Sequence, residues 1–242
     1  MIVRDRGDSW QVVLQTDHAD LSSEFARAWS ERGPRHDSLV LATRRHDDGW
    51  AVWERSPLVD ASGKPVDFLE VNVLVHIAFY RACIAAIRDE DPYAGLLNSM
   101  HGAGIYKKRY GRDPGLPTRE DDAEVGALIQ RFVDEQEAGY EALLAETGAD
   151  DEQRWHDYDL LEVYDRLSLY FCMRDVERGA AEPAEFQGYR LETTGPWRIR
   201  LEPYPFADAP GVFPLLRRTV PRNGRPDVLA TAAELVEITI EP

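Results

Sequence analysis

The run Arg44-Arg45-His46-Asp47-Asp48-Gly49-Trp50 sets an imidazole directly beside a carboxylate and just ahead of a glycine, a combination suited to metal binding. An adjacent His-Asp pair is common by itself and then usually marks solvated surface. The wider arrangement is more specific. The chain holds six histidines, and four of them, His18, His46, His76 and His101, follow one another at comparable intervals, with Asp165 further on in an apolar segment. His76 lies inside the apolar run from Val71 to Ile87, where a buried imidazole needs a polar partner, either a core hydrogen bond or a metal. Asp165 shares a helical face with Leu161 and Leu169, so its carboxylate points where leucines point and requires a cation. His156 and Asp159, earlier in the same segment, are spare candidates that read as supporting or surface groups.

The elements that must position these groups are legible in outline. Ile2-Val3 and Trp10 to Gln15 read as strands joined by a turn at Arg6-Gly7-Asp8, able to pair with strands from the C-terminus. Leu21, Phe25, Ala28 and Trp29 recur at helical spacing after Asp17 or Asp20, which puts His18 at a helix entrance. Pro57, Ser62-Gly63 and Pro65 mark a loop between Trp53 and Phe68. Val71 to Ile87 is apolar nearly all round, as a fully buried helix would be. Pro92 opens a helix expected to stop near His101-Gly102. From Gly102 to Pro117 glycines and prolines alternate with Lys107, Lys108, Arg109 and Arg112, a basic loop directly after His101. Such clusters are usually solvated surface; here Lys107, Lys108 and Arg109 are also candidates for contact with an anionic substrate. Thr118-Arg119-Glu120-Asp121 reads as a capping box for one long amphipathic helix reaching Leu144, and Trp155 to Met173 forms the next helix. Beyond Arg178-Gly179, Tyr189 to Leu191, Trp197 to Leu201, Val212 to Val220 and Val236 to Ile240 are short β-like runs. Tyr204-Pro205-Phe206 among them reads as packing or as part of a pocket wall.

Composition narrows the functional classes. A net charge of −16 disfavours nucleic acid and anionic membrane as partners, since both would be repelled, and points to a small-molecule substrate met by local cations or metal. Cys83 and Cys172 stand alone in apolar helical text and are expected to be reduced core residues. With no apolar leader near Met1 and no uninterrupted membrane-length run, the expected location is the cytoplasm.

The ordered set His18, His46-Asp47, His76, His101, Asp165 resembles the HD-domain superfamily, in particular its two-metal branch. His46-Asp47-Asp48-Gly49-Trp50 stands where HD-GYP phosphodiesterases carry His-Asp-x-Gly-Lys. Over nearly the whole chain, the opening Met1-Ile2-Val3-Arg4, the block Gln15-Thr16-Asp17-His18-Ala19, Trp53-Glu54 and Asp165-Arg166-Leu167-Ser168 look like an uncharacterised bacterial family, domain of unknown function 3891. The resemblance implies a mainly α fold: one domain with an HD-like helical bundle over about residues 17–178 and a small β appendage from segments 1–16 and 186–242. It turns the ambiguous Ser38 to Arg45 into a helix, with Gly49 ending it in the left-handed conformation. It also implies two transition-metal ions, iron favoured and manganese, cobalt or zinc compatible, held by His18, His46, Asp47, His76, His101 and Asp165. Asp47 would be the catalytic bridge, because a carboxylate has two oxygens for two ions.

Most characterised members of that superfamily are phosphohydrolases, so hydrolysis of a small phosphorylated molecule is the first functional reading, with Lys107 or Arg109 neutralising the phosphate. The same ligand set also resembles mixed-valent diiron oxygenases such as myo-inositol oxygenase, which makes oxidative cleavage of a small polar substrate the alternative. A non-catalytic metal-binding protein is the third. Trp50 departs from the pattern: the lysine it replaces often touches an anionic substrate, so that charge must come from elsewhere or the substrate must differ.

Overall fold

Alternation of apolar residues on either side of Arg6-Gly7-Asp8 produces the first hairpin, in which β1 (Ile2–Asp5) pairs antiparallel with β2 (Ser9–Val13) and Gly7 turns the chain at φ +90°. The computed structural model describes residues 1–56, 58–116, 123–222 and 227–242. Helix α1 (Gln15–Ala28) follows at once, earlier than the expected aspartate caps. Leu14 has no side chain able to cap it. The buried Glu54 carboxylate does so instead, accepting from the backbone N–H of Gln15 at 2.6 Å and from the Thr16 hydroxyl at 3.2 Å.

Helices α2 (His36–Arg45) and α3 (Trp50–Glu54) flank the His-Asp pair. Gly49 between them is right-handed, at φ −58°, and not the left-handed terminator expected. A Cβ on it would collide with the Phe79 carbonyl, so glycine is required there by the close approach of α4 (Val73–Glu90). Helix α4 starts on an Asn72 cap and is buried along one face only, through His76, Ile77, Tyr80, Cys83, Ile84 and Ile87, while Leu74 is exposed. Helix α5 (Pro92–Tyr106) is capped by Asp91, whose Oδ1 accepts from the N–H groups of Tyr93 and Ala94. It continues beyond His101, which therefore lies inside the helix and not at its end. Gly102 and Gly104 do not break it because they are contact points: a Cβ on Gly102 would lie 3.1 Å from the Tyr80 ring, and one on Gly104 would strike the Tyr158 hydroxyl.

The long helix expected up to Leu144 is two helices, α6 (Ala123–Glu137) and α7 (Tyr140–Thr147), separated at Ala138-Gly139; the capping box at Thr118 to Asp121 lies outside the described residues, as do Pro57 and Pro117. Left-handed Gly148, at φ +65°, ends α7, and the Asp150 carboxylate caps α8 (Asp151–Met173).

Strands β3 (Ala184–Phe186), β4 (Tyr189–Gly195), β5 (Arg198–Glu202), β6 (Gly211–Pro221) and β7 (Glu234–Glu241) complete the chain. They overturn the expected helical bundle with a small β appendage. All strands join one seven-stranded sheet in the order β1-β2-β6-β7-β5-β4-β3, antiparallel throughout except for the parallel β5–β7 pair, and the sheet is curled. Residues 9–12 pair with 218–221, joining the two ends of the chain. The inward residues Leu191, Ile199, Leu201, Phe213, Leu215 and Ile240 share one core with Phe25 of α1 and Phe171 of α8. The sheet is thus a wall of the principal core, and the helices pack on it as a second layer. Tyr204-Pro205-Phe206 belongs to that packing, with the Phe206 ring 5.2 Å from Trp29 and 6.2 Å from Phe25. Cys83 and Cys172 are both buried and free. Among the described residues no helix is long and apolar enough to cross a membrane.

Candidate metal centre

Three helices converge at their buried faces. The first turn of α1 supplies His18, the C-terminal end of α2 supplies His46 and Asp47, and the middle of α8 supplies Asp165; each of these residues is almost completely buried. The Nε2 atoms of His18 and His46 lie 3.1 Å apart. Asp165 Oδ1 is 3.1 Å from the first and 3.6 Å from the second, and Asp47 Oδ2 is 3.7 and 3.6 Å from them. Donors about 2.1 Å from a common centre in a tetrahedral arrangement are separated by about 3.4 Å, so His18, His46 and Asp165 have the spacing of ligands around one ion, and Asp47 Oδ2 stands at a like distance from both imidazoles.

His46 Nδ1 lies 2.6 Å from the Thr43 carbonyl, an acceptor only, so it donates there and Nε2 keeps a lone pair. His18 Nδ1 lies 2.5 Å from the Ser168 hydroxyl, which in turn donates to the Asp165 carbonyl at 2.8 Å. The Ser22 hydroxyl also lies 2.8 Å from that of Ser168, so this cluster holds the His18 ring with Nε2 towards Asp165. With His46 neutral, its Nε2 lone pair faces the oxygens of Asp47 and Asp165, and a cation, either a proton on the imidazole or a metal ion, relieves the repulsion. The donor set fits a first-row transition metal.

Burial would push the His46 imidazolium down, but Asp47 and Asp165 beside it raise it to about 9. Burial alone would raise Asp165; the Arg109 guanidinium, with His18 and His46, holds it well below the usual carboxylate range instead. A proton on His46 thus occupies the metal-free centre at neutral pH, and an ion must displace it. Affinity for metal is accordingly expected to rise about tenfold per pH unit until His46 loses its proton near pH 9 and to level off above. Competition with a chelator across that range reads the slope, and a flat profile would remove His46 from the ligand set.

Around the four donors lies a ring of positioning contacts. The Tyr80 hydroxyl donates to Asp47 Oδ1 at 2.8 Å and the Gln15 amide to Asp47 Oδ2 at 3.1 Å. His101 Nδ1 faces Glu162 Oε1 at 2.9 Å, and a ring nitrogen of His101 falls within 4.8 Å of ligand atoms of His46 and Asp47. Burial, with the charge of His46 nearby, holds His101 well below the ordinary imidazole range, so it is neutral. Arg109 pairs with both Glu162 and Asp165, its Nη2 lying 2.7 Å from Asp165 Oδ2. His76 stands apart. Its Nδ1 lies 2.6 Å from the Tyr106 hydroxyl, and it joins none of the closely spaced donor groups found among the described residues.

His18, Asp47 and Asp165 open onto a cavity of about 640 Å³, also lined by His76. Its walls are mainly apolar, with Phe68, Ile105, Leu116, Leu169, Met173 and Phe186, and its cations are Arg109, Arg166 and Arg174. Of the three basic residues expected at the substrate, Arg109 alone lines this space. Lys107 pairs with Glu137 on α6 at 2.5 Å and covers the Tyr110 ring, while Lys108 is exposed. His156 is half exposed near Glu31, and Asp159 pairs with Arg112, so neither spare candidate joins the centre.

Glu162 escaped sequence reasoning, although a carboxylate set among Leu160, Leu161 and Val163, one turn before Asp165, is the same signal that singled out Asp165. Tyr80 and Gln15 carry no comparable mark, since a tyrosine on an apolar helix face reads as packing.

A layered helix-and-sheet domain with a buried cluster of two histidines and two aspartates is the class that fold and centre define. The family described as Protein of unknown function (DUF3891) matches residues 1–222, and the chain belongs to it. No curated protein and no solved structure matches the chain.

Proposed function

We propose that this chain is a metal-dependent enzyme related to the HD superfamily and that it hydrolyses a phosphoester of a small molecule. The observation that carries this reading is the cluster of four buried groups, His18, His46, Asp47 and Asp165, which calls for a cation at the end of an open cavity. An ion bound there would supply Lewis acidity and a nucleophile at neutral pH.

The chain's own residues account for the remaining requirements. Thr43 and Ser168 set the two imidazoles with Nε2 towards the centre, and Tyr80 and Gln15 hold the Asp47 carboxylate between them. The Gln15 amide cannot be reversed, because its oxygen would then meet Asp47 Oδ2. Its Oε1 is buried at the cavity wall with no partner among the described residues, an acceptor aimed at a substrate donor. Arg166 follows Asp165 on α8, 3.8 Å from Asp113 of the same lining, and Arg174 stands just past the end of that helix, so guanidinium groups line the cavity of a chain of net −16. Trp50 is 1% exposed, with its ring 5.5 Å from that of His76; it is a wall, and the arginines take over the charge that a lysine in its place would carry. The apolar lining excludes water from around the reacting group.

The test is a phosphoester panel on metal-stripped protein reloaded with iron or manganese, with and without oxygen. Phosphate release with either metal, indifferent to oxygen, is expected. Silence under every metal condition together with oxygen consumption by the iron form would replace this reading with the oxygenase one.

A further inference from the structure

The resemblance to two-metal enzymes implies a second ion sharing Asp47, yet Asp47 Oδ1, the oxygen left for it, accepts from the Tyr80 hydroxyl at 2.8 Å. A different set of close donors does exist: His101, Glu162 and Asp165 offer ligand atoms within 4.8 Å of one another. Arg109 is seated on it. Its guanidinium pairs with the Glu162 carboxylate and, through Nη2, with Asp165 Oδ2 at 2.7 Å, and the residue is 7% exposed. Asp165 therefore turns Oδ1 to the two histidines and Oδ2 to an arginine.

The backbone is bent to put the arginine there. Lys108, Arg109 and Tyr110 have φ of +52°, +50° and +53°, and Gly111 follows at +85°. An ordinary helix end uses one left-handed residue, usually glycine. Three successive side-chain-bearing residues in that region are unfavourable for each of them and persist only where surrounding contacts over-determine them. Here those contacts are the ion pairs of Arg109 at the centre, the cation–ring contact of Lys107 with Tyr110, and the Tyr110–Tyr140 hydroxyl pair at 3.0 Å.

We propose that Arg109 is a built-in cation in the place of a second metal: the centre takes one ion, at His18, His46, Asp47 and Asp165, and loss of the arginine charge opens a second cation site at His101, Glu162 and Asp165. The inference rests on the metal-centre reading above. Its physical basis is charge. Two buried carboxylates side by side require compensation, and a planar guanidinium forks across both with a charge that does not titrate. Glutamine at 109 removes that charge and leaves one imidazole and two carboxylates facing a void, a donor set suited to manganese, iron or zinc. In such a variant the bridging ligand would be Asp165.

The experiment counts ions. Wild type, Arg109→Gln and Arg109→Lys are stripped, reloaded with excess Mn²⁺, desalted and assayed by elemental analysis, with electron-spin spectra of the same samples. One ion and an isolated-ion spectrum are expected for wild type and Arg109→Lys; two ions and a spin-coupled spectrum are expected for Arg109→Gln. If Arg109→Gln is unstable without metal, Mn²⁺ should raise its melting temperature more than it raises that of wild type. Two ions in wild type overturn this inference and leave the metal centre standing. One ion in a folded Arg109→Gln, or equal thermal shifts in the two proteins, also overturn it. No ion in any of the three overturns the centre itself, and this inference with it.

Discussion

Alanine in place of His46 is expected to lower the affinity of the chain for its metal by more than about 100-fold, since even groups that only orient a ligand are worth 10–100-fold. His46 Nε2 lies between 3.1 and 3.6 Å from the donors of His18, Asp47 and Asp165. Thr43 and Asp47 beside it are held by their own helix and hydrogen bonds, and His101 is held at Nδ1 by Glu162. The proposed phosphohydrolase activity should fall with the metal. His156→Ala is the control: a half-exposed imidazole beside Glu31 should leave metal content unchanged. Elemental analysis after chelator competition decides the matter, and a His46→Ala chain that retains its metal would dissolve the proposed centre.

Alanine in place of Phe25 should cost about 3–5 kcal/mol of folding stability, the range for deleting a fully buried phenyl ring. Phe25 is 0% exposed, with its ring 4.9 Å from Phe213 on β6, 6.2 Å from Phe206 and 6.4 Å from Phe171 on α8. It joins the helical layer to the sheet. The loss is expected as a shift of one cooperative urea transition, with helix content and tryptophan fluorescence changing together. A sheet that hung on the helices as an appendage would instead melt in a separate step, and a second transition confined to one probe would speak for that architecture. Because Phe25 lies two turns along α1 from His18, the cavity left by alanine also loosens the helix that carries a ligand.

Local sequence carries whatever depends on one element. The first hairpin is written in alternation around Gly7, the start of α5 in Asp91-Pro92, and the strand after strand beyond Arg178 in their period of two. Asp165 is legible for a similar reason, because a carboxylate set on an apolar face declares an unmet polar requirement wherever it ends up, while His18, His46 and Asp47 stand in polar text and are legible only from the His-Asp pair and the order of the set. What answers that requirement belongs to other elements, distant in sequence. Periodicity shows that a strand or helix has an apolar face but not what covers it, so seven strands that wall the main core read as a small appendage. Gly49 and Gly102 read as helix terminators, because glycine tolerates left-handed backbone, while their actual reason is a neighbouring helix too close for a Cβ. The basic cluster was visible as composition, yet its division is tertiary. The left-handed run from Lys108 to Tyr110 turns Arg109 in towards Glu162 and Asp165, whereas Lys107 pairs with Glu137 and Lys108 is exposed. Charge type is a property of the residue; which charge it meets, and whether water lies between them, is decided only when α5 and α8 pack.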